Sequence, residues 1–505
     1  MKNTRKLCAA IAAAIAAALI LASCSAAGDN YAPGDVGMYD AEYNEMYSIA
    51  QGEPDDGFNM GKLKENPFVK TSDEPVSTFS ADVDTASYTM LRRLIKEGYD
   101  LKSLKSTAGA NIRTEELINY FRYDCRAPGE GELFGVTAKL VPCPWNASDL
   151  LLTMTLATNE PAARADNNIV LLVDVSGSMR SDDKLPLLKR TFSYLLSGLD
   201  KNDTVSIVTY SSGERVVLEG CPGDRADTIQ QALDSLQANG ATNGEAGLQK
   251  AYEIAEKYAK QDGNNRIIMA SDGDLNVGMS SVEEIKAFVE QKRDAGVYLS
   301  VLGFGYGNYR DAKMETIADS GNGVYYYIDG EEEAEKIFCD DLLATLYTAA
   351  TDVKLQIAFD AQSVSAYRLI GYENRVMSAE DFDNDAKDAG DVGAGHSVTV
   401  CYEIVPAEGI AGEEKMLTLS VRYKEPGGVR STLNEYGMSY AGISCEPDAD
   451  TDLIAALCEL GMILHGSQYG KDIDMHDVVT LLHGHDYASD PYKAGFVGLV
   501  DRIAG

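Results

Sequence analysis

The chain has 505 residues, too many for one hydrophobic core, so two or three domains are expected. Hydrophobic residues make up 45% of it, enough for several cores, while 44 Lys and Arg against 79 Asp and Glu leave a net charge of -35. A surface this acidic excludes nucleic acid as a partner and favours cations or basic surfaces.

Lys2, Arg5 and Lys6 form a positive segment ahead of the Ala/Ile/Leu run from Leu7 to Ala18, which predicts export. The run closes on "LASC", Leu21 to Cys24, where small residues precede a cysteine. This resembles the lipobox of bacterial lipoproteins, which implies a signal peptide over 1–23 and lipidation of Cys24. An ordinary secretory signal and an uncleaved membrane anchor are the alternatives. Residues 24–76 are rich in Gly, Asp, Glu, Tyr and Met without an apolar period, and read as a flexible tether with a span of roughly 40 Å. Seven cysteines remain beyond Cys8 and Cys24, scattered and without metal-ligand spacing. They do not form a disulfide framework, although Cys125 and Cys143 lie near enough in the chain to leave a bridge open.

From 77 to 158 a small α+β region is expected. "TFSADVDTASYTMLRRLIKEG" reads as a strand leading into an amphipathic helix, with Asp and Thr capping the helix at Ser87 to Glu97. Asp82 and Asp84 superficially match the DxDx[TV] motif of haloacid-dehalogenase-like phosphatases, but the fifth position is Ala86. Trp145 in "PCPWN" is expected as a core or interdomain anchor.

From 166 to 349 strands and helices alternate: "NIVLLVDVS", "TVSIVTYSS", "RVVLEG", "RIIMASDG", "VYLSVLGFG" and "GVYYYIDG" are separated by helices with apolar residues three or four apart. That order predicts an α/β fold, a doubly wound, mostly parallel sheet of Rossmann-like type covered on both faces. The run Glu331 to Glu333 reads as a first helical turn favoured by the helix dipole, needing no partner. Over 350–505 a β-sandwich-like stretch gives way to helices, and all five histidines (His396, His465, His476, His483, His485) fall there. His483 and His485 in "LLHGHDY" are expected in a surface loop.

In an open doubly wound sheet, ligands bind where loops leave the carboxyl ends of strands. Three such ends supply hard oxygens: Asp174, Ser176 and Ser178 in "DVSGS", Thr242 in "NGATNGEAG", and Asp272 in "MASDGDLNVG". Two carboxylates and three hydroxyls suit Mg²⁺ or Mn²⁺, and with no His or Cys nearby zinc and copper fit poorly.

This set resembles the metal-ion-dependent adhesion site (MIDAS) of von Willebrand factor type A (VWA) domains, in which DxSxS, a Thr and a distal Asp share one divalent cation. The resemblance implies direct coordination by Ser176 and Ser178, action mostly through waters by Asp174 and Asp272, and engagement of Thr242 when a ligand arrives. It also implies a coordination position left for a partner's Asp or Glu. "FSADVDTASY", "EELINYF", "PCPWN", "KLPLLK", "VLGFGYGNY", "GNGVYYYID" and "YRLIGYENR" extend the likeness to the bacterial VWA lipoprotein family from Phe79 to Ala504, with an N-terminal associated region and a C-terminal domain.

The expectation is a surface-anchored binding module on the outer membrane or the outer face of the cytoplasmic membrane, recognising a protein carboxylate through Mg²⁺, and not an enzyme. The rival reading is an envelope assembly protein with a mainly structural cation. An envelope hydrolase is a third, disfavoured because Asp174 stands where a nucleophile elbow needs its first glycine and every His lies beyond the sheet domain.

Overall fold

The structure is a computed structural model that describes residues 64–109, 111–161, 164–241, 244–261, 263–273, 282–305, 311–410 and 412–505. The signal segment, Cys24, most of the tether, and Thr242 lie outside the described residues. The described strands are β1 (Val69–Lys70), β2 (Val76–Ser80), β3 (Phe134–Pro142), β4 (Leu150–Thr158), β5 (Asn167–Asp174), β6 (Thr204–Tyr210), β7 (Glu214–Pro222) and β8 (Asn264–Ser271). They continue as β9 (Tyr298–Phe304), β10 (Tyr325–Ile328), β11 (Thr348–Phe359), β12 (Val364–Ile370), β13 (Gly390–Gly393), β14 (Ser397–Pro406), β15 (Lys415–Lys424) and β16 (Ser431–Ser439).

The six strands β5 to β10 make the expected doubly wound sheet in the order β10-β9-β8-β5-β6-β7. Its central strand reads "NNIVLLVD", and its two faces enter different cores: Ile169, Leu171 and Val173 pack into one, Val170 and Leu172 into the other. A strand buried on both faces needs this unbroken aliphatic run rather than an apolar/polar alternation. β7 alone runs antiparallel to its neighbour β6. Only Ser211, Ser212 and Gly213 join the two, too short a link for a parallel crossover.

The segments before and after this sheet share two further sheets. β3 and β4 join β14, β12 and β1, while β2 pairs with β11, which pairs in turn with β15 and through it β16. The two sheets face one another across a common core, with Phe359 stacked on Tyr367 at 4.4 Å and Phe134 edge-on to Tyr423 at 5.5 Å. Helices Ala86–Lys96, Leu101–Thr107, Thr114–Asn119, Ala449–His465, Met475–His483 and Pro491–Ala504 cover the outer face of the sheet that holds β4 and β14, burying Leu151 and Cys401 from it. Gly461 lets the helices Ala449–His465 and Thr114–Asn119 touch, since a Cβ there would lie 2.5 Å from Thr114 Oγ1.

One open question closes and two local readings change. Cys125 and Cys143 are both free thiols, as are the other five described cysteines. Asp82 and Asp84 do not cap the helix Ala86–Lys96: Thr85 holds the N-cap position with no side-chain cap bond, and both carboxylates turn inward to Arg375. The helix Glu331–Glu335 does use its acidic first turn for partners, because Glu333, 1% exposed, pairs with Arg92 at 2.7 Å and Glu332 with Lys96 at 3.0 Å.

Candidate metal centre

Strand order reverses between β5 and β8, so the crevice at their carboxyl ends is the place where this sheet opens. Asp174 is the last residue of β5, and Asp272 directly follows Ser271, the last of β8. The parallel register sets Val173 beside Ala270, which brings the two carboxylates to one end of the sheet. Both are essentially inaccessible, at 0% and 1% exposed.

The loop after β5 is held by its own side chains. Asp174 Oδ1 accepts the Ser176 N–H at 2.8 Å, and Asp174 Oδ2 accepts the Ser271 hydroxyl at 3.3 Å. The Ser176 and Ser178 hydroxyls meet at 2.9 Å, Ser178 standing on a short 3₁₀ turn, Gly177–Arg180. A second loop lies against the first: Asn239 N–H donates to the Val175 carbonyl at 2.7 Å and Gly177 N–H to the Gly240 carbonyl at 3.0 Å. Gly240 has φ +88°, and a Cβ there would meet Ser212 Oγ at 2.6 Å, so glycine is needed for this approach. Thr242 follows two residues later, outside the described residues. Asp174, Ser176, Ser178 and Asp272 thus occupy one end of the sheet as the sequence predicted.

Lys184 is the member that sequence reasoning missed. Its ammonium reaches Asp272 Oδ2 at 2.9 Å, and its aliphatic stem lies over Gly305, φ +78°, where a methyl group would collide with it. The only signal was its place in "KLPLLK", just ahead of the helix Leu185–Ser197. Burial pushes the Asp174 carboxyl up to about 6, with Asp272 adding to the rise while the Ser176 N–H and hydroxyl oppose it.

The donor set fits a hard divalent cation. Asp272 Oδ1 is buried without a hydrogen-bond partner, an orphaned oxygen of the kind a cation satisfies, and two hydroxyls already converge on the loop that follows Asp174. No cluster of three His, Cys, Asp or Glu able to hold a metal occurs among the described residues.

This sheet order, with DxSxS at one strand end and Asp at the next, defines a VWA domain, a class of protein-interaction or adhesion module. The family model for the von Willebrand factor type A domain matches residues 168–339, one described as von Willebrand factor matches 56–153, and one described as uncharacterized protein YfbK, C-terminal, matches 344–413 and 408–505. The uncharacterized protein YfbK of Escherichia coli (strain K12) is 36% identical over 472 residues, covering 88% of this chain and 80% of that protein. The chain belongs to the YfbK family of bacterial VWA proteins. The uncharacterized protein sll0103 of a Synechocystis species is 25% identical over 195 residues, 39% of this chain and 45% of its own. A solved structure described as von Willebrand factor type A from Catenulispora acidiphila aligns with TM-score 0.40 and 18% identity over 67% of this chain and 80% of that one.

Proposed function

We propose that this protein is a lipid-anchored binding module of the bacterial envelope that grips an Asp or Glu of a protein partner through Mg²⁺ or Mn²⁺. Asp174, Ser176, Ser178, Thr242 and Asp272 would hold the ion, which supplies a local positive charge on an acidic surface. The observation that carries the reading is the orphaned Asp272 Oδ1 at the same end of the sheet as the paired Ser176 and Ser178 hydroxyls.

Calorimetry tests it directly. Asp174→Ala and Asp272→Ala should each abolish Mg²⁺ and Mn²⁺ binding while circular dichroism stays native; undiminished binding in both removes the assignment. Chelation should then weaken partner capture from native envelope, and Thr242→Ala should weaken the partner more than the metal. The rival, an assembly protein with a structural cation, requires the fold to lean on the ion. Lys184 weakens that rival, because its ammonium already compensates Asp272 within the protein. A hydrolase is weaker still: among the described hydrogen bonds, the Ser176 and Ser178 hydroxyls bond to each other and to no histidine.

The anchor rests on "LASC" and the tether behind it. No described helix is long and apolar enough to cross a membrane. Cys24→Ser should abolish uptake of labelled fatty acid and release the chain, and a wild-type protein that takes up none sinks this part of the reading.

A further inference from the structure

Outside the cation centre, a cavity of about 420 Å³ opens between the Pro144–Trp145 turn, the helix Ala449–His465 and the segment leading to the helix Met475–His483. That volume is in the range of small-ligand sites. Two half-buried aromatic residues line it, Trp145 and Tyr469. Tyr469 is fixed in place, its ring taking the Arg368 guanidinium at 4.4 Å and the edge of Phe68 at 5.5 Å.

Glu459, from the helix Ala449–His465, also lines the cavity. It is 2% exposed, and its Oε2 has no hydrogen-bond partner. A buried carboxyl in that condition is costly unless something arrives to pair with it. Burial, with the charges of Asp477 and Asp474, pushes its pKa up to about 8, so the carboxyl holds its proton in the free cavity at neutral pH and gives it up to solvent when a cation arrives to pair with it. Asp477 and Asp472 add two exposed carboxylates to the lining, with one exposed cation, Lys471.

We propose that this cavity binds a small organic cation, an alkylammonium group whose charge pairs with Glu459 and Asp477 and whose carbon chain lies against Trp145 and Tyr469. An anion would meet the exposed carboxylates of Asp472 and Asp477. A bare divalent ion would find aromatic walls where it needs oxygens. An ammonium satisfies both halves of the lining, since aromatic faces attract cations and a desolvated carboxylate pairs with one. The net charge of -35 raises its local concentration.

Trp145 is the only tryptophan in the chain, so its fluorescence reports on this cavity. Butylammonium chloride added to the full-length protein should change the emission saturably, while n-butanol and KCl at equal concentration should not. Glu459→Gln, folded by circular dichroism, should weaken the response by about tenfold or more, the loss expected for a charged hydrogen bond. Asp477→Asn, on an exposed position, should weaken it less. Tighter binding of Nα-acetyl-lysine methylamide than of butylammonium assigns the natural source to a polypeptide lysine; weaker binding assigns it to a free amine. No saturable change with either ammonium, or unchanged affinity in folded Glu459→Gln, overturns the proposal.

Discussion

Lys184 places its ammonium 2.9 Å from Asp272 Oδ2, at a carboxylate that is 1% exposed. Removing one partner of a buried pair leaves an uncompensated charge, which typically costs about 3–5 kcal/mol. Lys184→Met should therefore melt at a clearly lower temperature than wild type in a chelator, and Mg²⁺ should restore more of that loss than it adds to wild type. Scanning fluorimetry in both conditions decides it; coincident melting curves in the chelator would show that the ammonium compensates nothing. The same substitution should raise Mg²⁺ affinity in calorimetry, because the ion no longer competes with a resident cation. The place of Asp174, Ser176, Ser178 and Asp272 at one end of the sheet was legible in the sequence, since each ends or follows an aliphatic strand run. Lys184 was not, because a single lysine ahead of a helix has no spacing that distinguishes it from a solvated one.

Between elements, Arg375 joins three parts of the fold. It follows β12 and meets Asp82 at 3.3 Å and Asp84 at 3.4 Å from the loop after β2, and Glu315 at 3.0 Å and Asp319 at 3.1 Å from the helix Asp311–Ser320. Arg113 braces Glu315 from the other side at 2.7 Å. Asp82 and Asp84 are 3% exposed each, so Arg375→Ala strands two buried charges and should cost about 3–5 kcal/mol. The urea midpoint measures this, and the loss should shrink on acidification, because burial raises the Asp84 and Asp319 carboxyls toward protonation. A midpoint unchanged at neutral pH would mean that the cluster contributes no cohesion. Alternating runs such as "KMLTLSVRYK" announced their strands, but alternation says which face is buried and nothing about the neighbour. β13, "GDVG", and β16, in which no residue is fully buried, lacked even that signal.

For the whole molecule, buried ionisable groups set opposing limits on the pH of greatest stability. Glu373 is pushed up to about 8 by burial and by Glu115, so the native state holds its proton more tightly than the unfolded chain. Its contribution is fully present below the ordinary carboxyl range, near 4.5, and is lost as pH rises to about 8. His396 works oppositely: burial lowers it to about 4, so stability falls as pH drops from about 6.5 toward 4. The two trends offset one another between about 4.5 and 6.5, so melting temperature should be highest across that range and fall on either side. Glu373→Gln should make the alkaline decline shallower, with Glu459 carrying the remainder, and should melt higher than wild type at pH 8, as thermal scans from pH 4.5 to 9 can check. A parallel decline in the variant would remove Glu373 as its cause.

The pairing of β4 with β14 sets an order of events at the ribosome. Ala157 must wait for Ser397, 240 residues downstream, before its edge is covered, and the whole VWA domain is made in between. At a synthesis rate of about 5–20 residues per second, that edge stays open for roughly 10–50 s. A strand paired only with β3 and carrying Leu151, Leu152, Met154 and Leu156 invites pairing with other chains along its open edge for all of that time. Nascent chains stopped before residue 397 should therefore depend on a holding chaperone, while chains stopped beyond β14 should not.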